Sequence, residues 1–331
     1  MDTANKGRVL CVDDEPSILR SLQWLLQKDF EITTALGGEA AMKAVEQRDF
    51  DAVLSDQRMP GMTGAQFLSH VKDVSPRSMR LLLTGYSDMP ALLSSVNDGE
   101  VWQFVSKPWD SAELKGLLRT AVQIAQQPPH TVAAPVVETL PESQNILVIT
   151  PHEDIAQDLE EGLGKDVRIL RATDLVQAVH LLAYERIGTI VAEAMIGTTP
   201  ITGLLTIVKR KRPEIVSVVI GNQTSSTQVI ALINQGQLYR FVPDALKKGY
   251  LKHLVQSAMA KHRQLAADPL MQARYLVATT ETVLERELME ELALVERAEE
   301  RKGGGRNGAG AQNQGTGFFR RIRQSLARLL G

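Results

Sequence analysis

Five polar side chains punctuate the first third of the sequence, each placed just after a short apolar run. Asp13 and Asp14 follow the run 8–12, Asp56 follows 52–55, Thr84 follows 80–83 and Lys107 follows 102–105. Two acids joined by a third make a hard oxygen site suited to Mg²⁺. An ammonium and a small hydroxyl beside it are the groups that hold a phosphoryl unit as it reaches a carboxylate, mostly by positioning and charge. Taken singly these residues are ordinary: Asp13-Asp14 reads as a solvated turn or helix N-cap, Lys107-Pro108 as a loop, and Phe104 as core. Taken together, at the ends of successive runs, they read as one site with Asp56 as the acceptor.

The elements that must position them are legible as an alternation. Strand-like runs at 8–12, 31–35, 52–55, 80–83 and 102–105 alternate with helix-period stretches at 18–26, 38–47, 63–72, 89–96 and 111–125. Five such β/α units predict an α/β fold, a doubly wound parallel five-stranded sheet with helices on both faces. Ligands in such folds sit beyond the carboxyl ends of the strands, where the strand order reverses. The five polar residues fall at those ends.

Residues 7–125 resemble the receiver (CheY-like) domain of bacterial two-component response regulators. The resemblance is carried by Val12-Asp13-Asp14-Glu15-Pro16, Leu54-Ser55-Asp56, Met59-Pro60-Gly61-Met62-Thr63-Gly64, Leu83-Thr84-Gly85 and Ser106-Lys107-Pro108. It implies that Asp56 accepts a phosphoryl group from a sensor histidine kinase or phosphotransfer protein. It also implies that Asp14 and Asp56 ligate Mg²⁺ with the Arg58 carbonyl, Asp13 acting through water. Thr84 and Lys107 would then hold the phosphoryl oxygens, and Phe104 would be the switch aromatic, turning inward as the threonine hydroxyl moves. Gly85 would leave room for the donor. Arg58 and Tyr86 would flank the acceptor where the family varies its dephosphorylation rate. Catalysis would be limited to self-catalysed uptake and loss at Asp56.

The 331-residue length fits two domains, and 44% hydrophobic residues is enough for buried cores. After the receiver-like part, 1–125, residues 126–144 are proline-rich and read as a semi-extended linker. A second copy of the fold is predicted over 145–265, with apolar runs at 146–149, 189–192 and 217–220. Adding 137 carries Asn97 to Asn234, Gly99 to Gly236, Phe104 to Phe241, Val105 to Val242 and Leu114 to Leu251. The same offset puts Thr150 for Asp13, Pro151 for Asp14, Glu193 for Asp56, Gly221 for Thr84 and Asp244 for Lys107. The acidic pair is gone and the lysine has become an acid, so this half resembles a pseudo-receiver used for contact. His152 and Glu153 lie near, but two such residues make no metal cage.

A glutamate-rich helix is predicted over 268–302, opened by Asp268-Pro269; its apolar set suits either packing or homodimer formation. A glycine-rich stretch, 303–317, has no capacity for a core. The closing segment, 318–331, gathers Phe318, Phe319, Ile322, Leu326, Leu329 and Leu330 on one helical stripe, bordered by Arg323 and opposed by Arg320, Arg321 and Arg328. Three occupants stay open for that stripe: an anionic membrane, a groove of a partner, or the protein's own surface.

The net charge of −2 argues against a whole-molecule polyanion binder. The single Cys11, the absence of an apolar leader and the lack of a run near 18 apolar residues predict a cytoplasmic protein, at most peripheral at the inner face of the membrane. No helix-turn-helix unit precedes the basic tail, so DNA is not the expected partner. The expected function is a response regulator that signals through protein, or membrane, contacts. The alternatives are a receiver-controlled enzyme with its catalytic output in 145–331, and a phosphate sink or shuttle.

Overall fold

The computed structural model describes residues 6–85, 101–127, 145–164, 167–221, 226–243 and 250–268, with Gln272, Gln324, Ser325 and Arg328. The helix expected at 89–96, Tyr86, most of the linker, Asp244, nearly all of the acidic helix and the glycine-rich stretch lie outside them. So do Phe318, Phe319, Arg320, Arg321, Ile322, Arg323, Leu326, Leu329 and Leu330. Two compact units emerge, one formed by Met1–Pro135 with Ser225–Asn234, the other by Val136–Thr224 with Gln235–Gly331.

The first unit is built on β1 (Arg8–Asp13), β2 (Glu31–Leu36), β3 (Ala52–Asp56), β4 (Met79–Thr84) and β5 (Gln103–Ser106). They form one parallel sheet in the order β2-β1-β3-β4-β5, so the chain reverses its direction of travel across the sheet between β1 and β3. β3 and β4 are buried along their whole length, as strands covered on both faces by helices must be. Among the described residues, four helices lie between and after these strands: α1 (Pro16–Leu26), α2 (Gly37–Gln47), α3 (Gly64–Val74) and α4 (Ser111–Gln126).

Local chemistry sets their starts. Pro16 occupies the first turn of α1, where its missing N–H leaves no bond unmade. Thr63 and Gln66 form a reciprocal capping box at α3, and Asp110 accepts from the Ala112 and Glu113 N–H groups, both at 2.8 Å, at α4. Leu19, Leu22 and Leu26 of α1 and Leu114, Leu118, Ala121 and Val122 of α4 close one core over Val9, Cys11, Leu54, Leu81 and Leu83.

The second unit carries β6 (Ile146–Ile149), α5 (Glu153–Leu163), β7 (Ile169–Ala172), α6 (Leu175–Tyr184), β8 (Thr189–Glu193), the short antiparallel pair β9 (Met195–Ile196) and β10 (Thr199–Pro200), α7 (Thr202–Lys211) and β11 (Val216–Gly221). Next in the chain comes α8 (Ser226–Asn234), which counts with the first unit. β12 (Arg240–Pro243) and α9 (Tyr250–Ala267) complete the second. Its five-stranded parallel sheet runs β12-β11-β8-β6-β7, the strand order of the first sheet repeated. Its last three strands stand 137 residues after β3, β4 and β5 at both ends. Ile146, Val148, Val191, Val218, Ile220 and Val255 lie in its core.

Candidate functional site

Asp13, Asp56 and Thr84 are the last residues of β1, β3 and β4, and Lys107 directly follows β5. Parallel strands carry these ends to one edge of the sheet, which is why positions scattered over almost a hundred residues meet.

Asp56 is buried at 6% exposure. Its Oδ2 accepts the Arg58 N–H at 2.7 Å, and its Oδ1 stands 2.6 Å from Lys107 Nζ. The same ammonium donates to Asp13 Oδ2 at 3.1 Å, so one lysine bridges two carboxylates. Asp13 Oδ1 accepts the Glu15 N–H at 2.9 Å, which fixes the turn leading into α1. Burial pushes the Asp56 carboxyl above its usual range; the Lys107 hydrogen bond and charge oppose that shift, and the Asp13 charge adds to it. Burial also works against the Lys107 charge, but the Asp56 and Asp13 hydrogen bonds outweigh it and raise its pKa.

Thr84 is buried, and its hydroxyl donates to the Gly85 carbonyl at 3.2 Å. Phe104 is buried in β5. Asp14, unlike Asp13, is exposed. The Lys107–Pro108 peptide is cis.

The loop after β3 holds two features that composition does not announce. A Cβ at Gly64 would lie 2.0 Å from the Asp56 carbonyl oxygen and 2.8 Å from Leu82 Cδ1, so only glycine lets α3 start this close to the acceptor. Gln57 is buried; its side-chain oxygen accepts the Ala65 N–H and its carbonyl the Gly64 N–H, both at 3.1 Å. In the sequence, the signal for Gln57 is only that a glutamine directly follows the acceptor.

Among the described residues, no three acidic, histidine or cysteine side chains gather closely enough to enclose a metal ion. The donor set at hand is the buried pair Asp13 and Asp56, with Asp14 exposed beside it. Mg²⁺ takes one or two carboxylates and keeps several waters, so this pair fits it better than it fits a fully caged cation.

In the second unit, Thr150 and Glu193 stand at the corresponding strand ends. Thr150 is buried, its hydroxyl donates to Glu193 Oε1, and its oxygen accepts the His152 N–H at 3.0 Å. In the closing segment, Ser325 is buried with its hydroxyl 3.3 Å from His180 Nδ1, and Arg328 lies over the Tyr184 ring at 4.7 Å. Ser325 and Arg328 thus lie against α6. Among the described residues, no helix is long and apolar enough to cross a membrane.

A family model described as the response regulator receiver domain matches residues 9–119. The hydrogenase transcriptional regulatory protein HoxA of Bradyrhizobium diazoefficiens is 32% identical over 131 residues, which is 40% of this chain and 27% of that protein. HoxA of Cupriavidus necator is 33% identical over 118 residues, 36% of this chain and 24% of that protein. The transcriptional regulatory protein FixJ of Bradyrhizobium diazoefficiens is 27% identical over 172 residues, 51% of this chain and 81% of that one. The chain therefore spans about a quarter of the length of the HoxA proteins it matches. Among solved structures, the signal receiver domain of an HD domain-containing protein from Pseudomonas fluorescens Pf-5 is 31% identical over 38% of this chain and 93% of that one, with a TM-score of 0.36. Over residues 9–119, then, this chain matches the response regulator receiver domain.

Proposed function

We propose that Asp56 is the phosphoacceptor of this receiver and that the rest of the chain passes the signal on through protein contacts. The observation that carries the reading is the Lys107 ammonium, 2.6 Å from Asp56 and 3.1 Å from Asp13, at the carboxyl edge of the sheet. A carboxylate oxygen of Asp56 attacks the phosphorus of a phosphohistidine or acyl phosphate; the bond to the leaving group breaks and its electron pair departs with that group. The Arg58 N–H holds the other carboxylate oxygen and so aims the attacking one. Lys107 keeps positive charge where the phosphoryl oxygens arrive, in a site where burial strengthens the attraction. The Thr84 hydroxyl then turns from the Gly85 carbonyl to a phosphoryl oxygen. Asp13, Asp14 and Asp56 are the residues to hold Mg²⁺; when bound there it supplies neutralisation of the phosphoryl charge.

The donor is a sensor histidine kinase or phosphotransfer protein, as a receiver domain implies. The second sheet serves as a pseudo-receiver: Thr150 and Glu193 offer neither an acidic pair nor a cation. Its expected role is contact rather than phosphoryl transfer. A DNA-bound output is the competing reading, because the relatives are named as transcriptional regulators. Salt-sensitive retention of duplex DNA by the phosphorylated full chain would favour it.

The acceptor is tested by incubating the full chain with Mg²⁺ and acetyl phosphate and measuring intact mass. One added phosphoryl group, about 80 Da, is expected. No gain, or a gain that persists in Asp56→Ala, rejects the proposal.

A further inference from the structure

Among the described residues, β5 is the last strand of its sheet, with β4 as its one ladder partner. Such an edge strand offers main-chain groups that something else must pair. At Phe104 that partner is the side chain of Asn234, the last residue of α8. Asn234 Oδ1 accepts the Phe104 N–H at 2.8 Å, and Asn234 Nδ2 donates to the Phe104 carbonyl at 2.9 Å. A primary amide thus makes both bonds that a neighbouring strand would make. The contact is returned: Gln103 Nε2 donates at 3.1 Å to the Asn234 carbonyl, one of the acceptors that a helix C-terminus leaves without an internal partner. Gln103 and Phe104 are both buried.

The strand so held is four residues long, and Lys107 is the residue after it. Lys107 N–H pairs with the Thr84 carbonyl at 2.9 Å, and its ammonium sits 2.6 Å from Asp56. Anything that fixes β5 at Phe104 therefore fixes the base from which Lys107 reaches the acceptor. We infer that Asn234 is a positioning residue for the phosphoacceptor site, acting through β5 on Lys107, and that α8 docking and phosphorylation of Asp56 are linked. By reciprocity, a phosphoryl group that tightens Lys107 tightens the hold of β5 on α8. The inference rests on the reading of Asp56 as acceptor.

The experiment uses the full chain with Mg²⁺ and acetyl phosphate, following phosphorylation by intact mass and amide exchange by fragment-resolved mass spectrometry. Asn234→Ala is expected to slow phosphorylation roughly three- to tenfold and to speed exchange at Phe104 by a similar factor, while β1 and β3 amides keep wild-type protection. Asn234→Asp keeps an acceptor for the Phe104 N–H but loses the donor, and is expected to fall between the two. Phosphorylated wild type is expected to exchange more slowly at Phe104 than the untreated chain. A general loss of folding would instead speed exchange in β1 and β3 as well, and would overturn the positioning role. A wild-type rate in Asn234→Ala, within a factor of about two, overturns the linkage while leaving the acceptor reading intact. No phosphoryl gain in wild type overturns both.

Discussion

At the end of β1, Asp13 Oδ1 accepts the Glu15 N–H at 2.9 Å; at the end of β6, Thr150 Oγ1 accepts the His152 N–H at 3.0 Å. The same turn into the same helix is kept, because it needs only a side-chain oxygen two residues upstream. What completes each site differs. In the first, Lys107 bridges Asp13 to Asp56. In the second, the Thr150 hydroxyl itself reaches Glu193. There a neutral hydroxyl, where the first site has an ammonium, satisfies the carboxylate. The comparison separates what the fold asks of a strand end from what the chemistry asks of it.

The largest effect is expected from removing that cation. Lys107→Met should lower the rate of phosphorylation by acetyl phosphate about 10²- to 10³-fold, the loss typical of one preorganised electrostatic group. A loss under tenfold would mean that the lysine merely fills space.

A second contrast lies between a half-buried lysine in one unit and a fully buried one in the other. Lys107 has two carboxylates and its pKa rises; Lys209, on α7, donates to the Pro213 carbonyl at 3.2 Å and to the Ile215 carbonyl, and burial lowers its pKa to about 7, with the Glu214 charge opposing and the Lys261 charge assisting. Between the ordinary lysine value of 10.5 and about 7, the unfolded chain binds a proton that the folded chain refuses. Stability of the second unit should therefore fall as pH is lowered through that window, by on the order of a few kcal/mol. Denaturant unfolding at pH 7 and pH 10 checks this, with Lys209→Met expected to remove most of the difference. An unchanged difference in that variant would assign the pH dependence to other groups.

The smallest effect belongs to the second strand-end site. Thr150→Val should destabilise by about 1 kcal/mol in denaturant unfolding, since it removes one partly buried hydrogen bond and one turn bond. Phosphorylation of Asp56 should be unaffected. A change in its rate would show that the second site does more than hold its own turn.

Much of this is legible in the sequence alone. The apolar runs located β1, β3, β4 and β5, yet the ladders continue one residue further, through Asp13, Asp56, Thr84 and Ser106. Main-chain pairing is indifferent to the polarity of a side chain at the sheet edge, so an apolar run ends sooner than its strand. β7 (Ile169–Ala172) and β12 (Arg240–Pro243) escaped as apolar runs because both are outermost strands, where Arg171, Arg240 and Pro243 are tolerated. The β9–β10 pair has two residues a side and no alternation to read. Among site residues, Asp56, Asp13 and Lys107 were found by type and spacing. Asn234 surfaced only as a repeat match to Asn97, since its partner lies 130 residues away in sequence and no local pattern encodes that contact. Gly64 was visible as part of a motif, but its reason, the approach of the Asp56 carbonyl, belongs to the packing.

The central claim is that charge, rather than position in the fold, decides which strand end takes the phosphoryl group. Borohydride reduces an aspartyl phosphate to homoserine, which marks the acceptor permanently. After treatment with acetyl phosphate and Mg²⁺, reduction and peptide sequencing by mass spectrometry, homoserine is expected at position 56, with Asp13, Asp14 and Glu193 unchanged. A reduced residue at position 193, or at any position other than 56, would contradict the account.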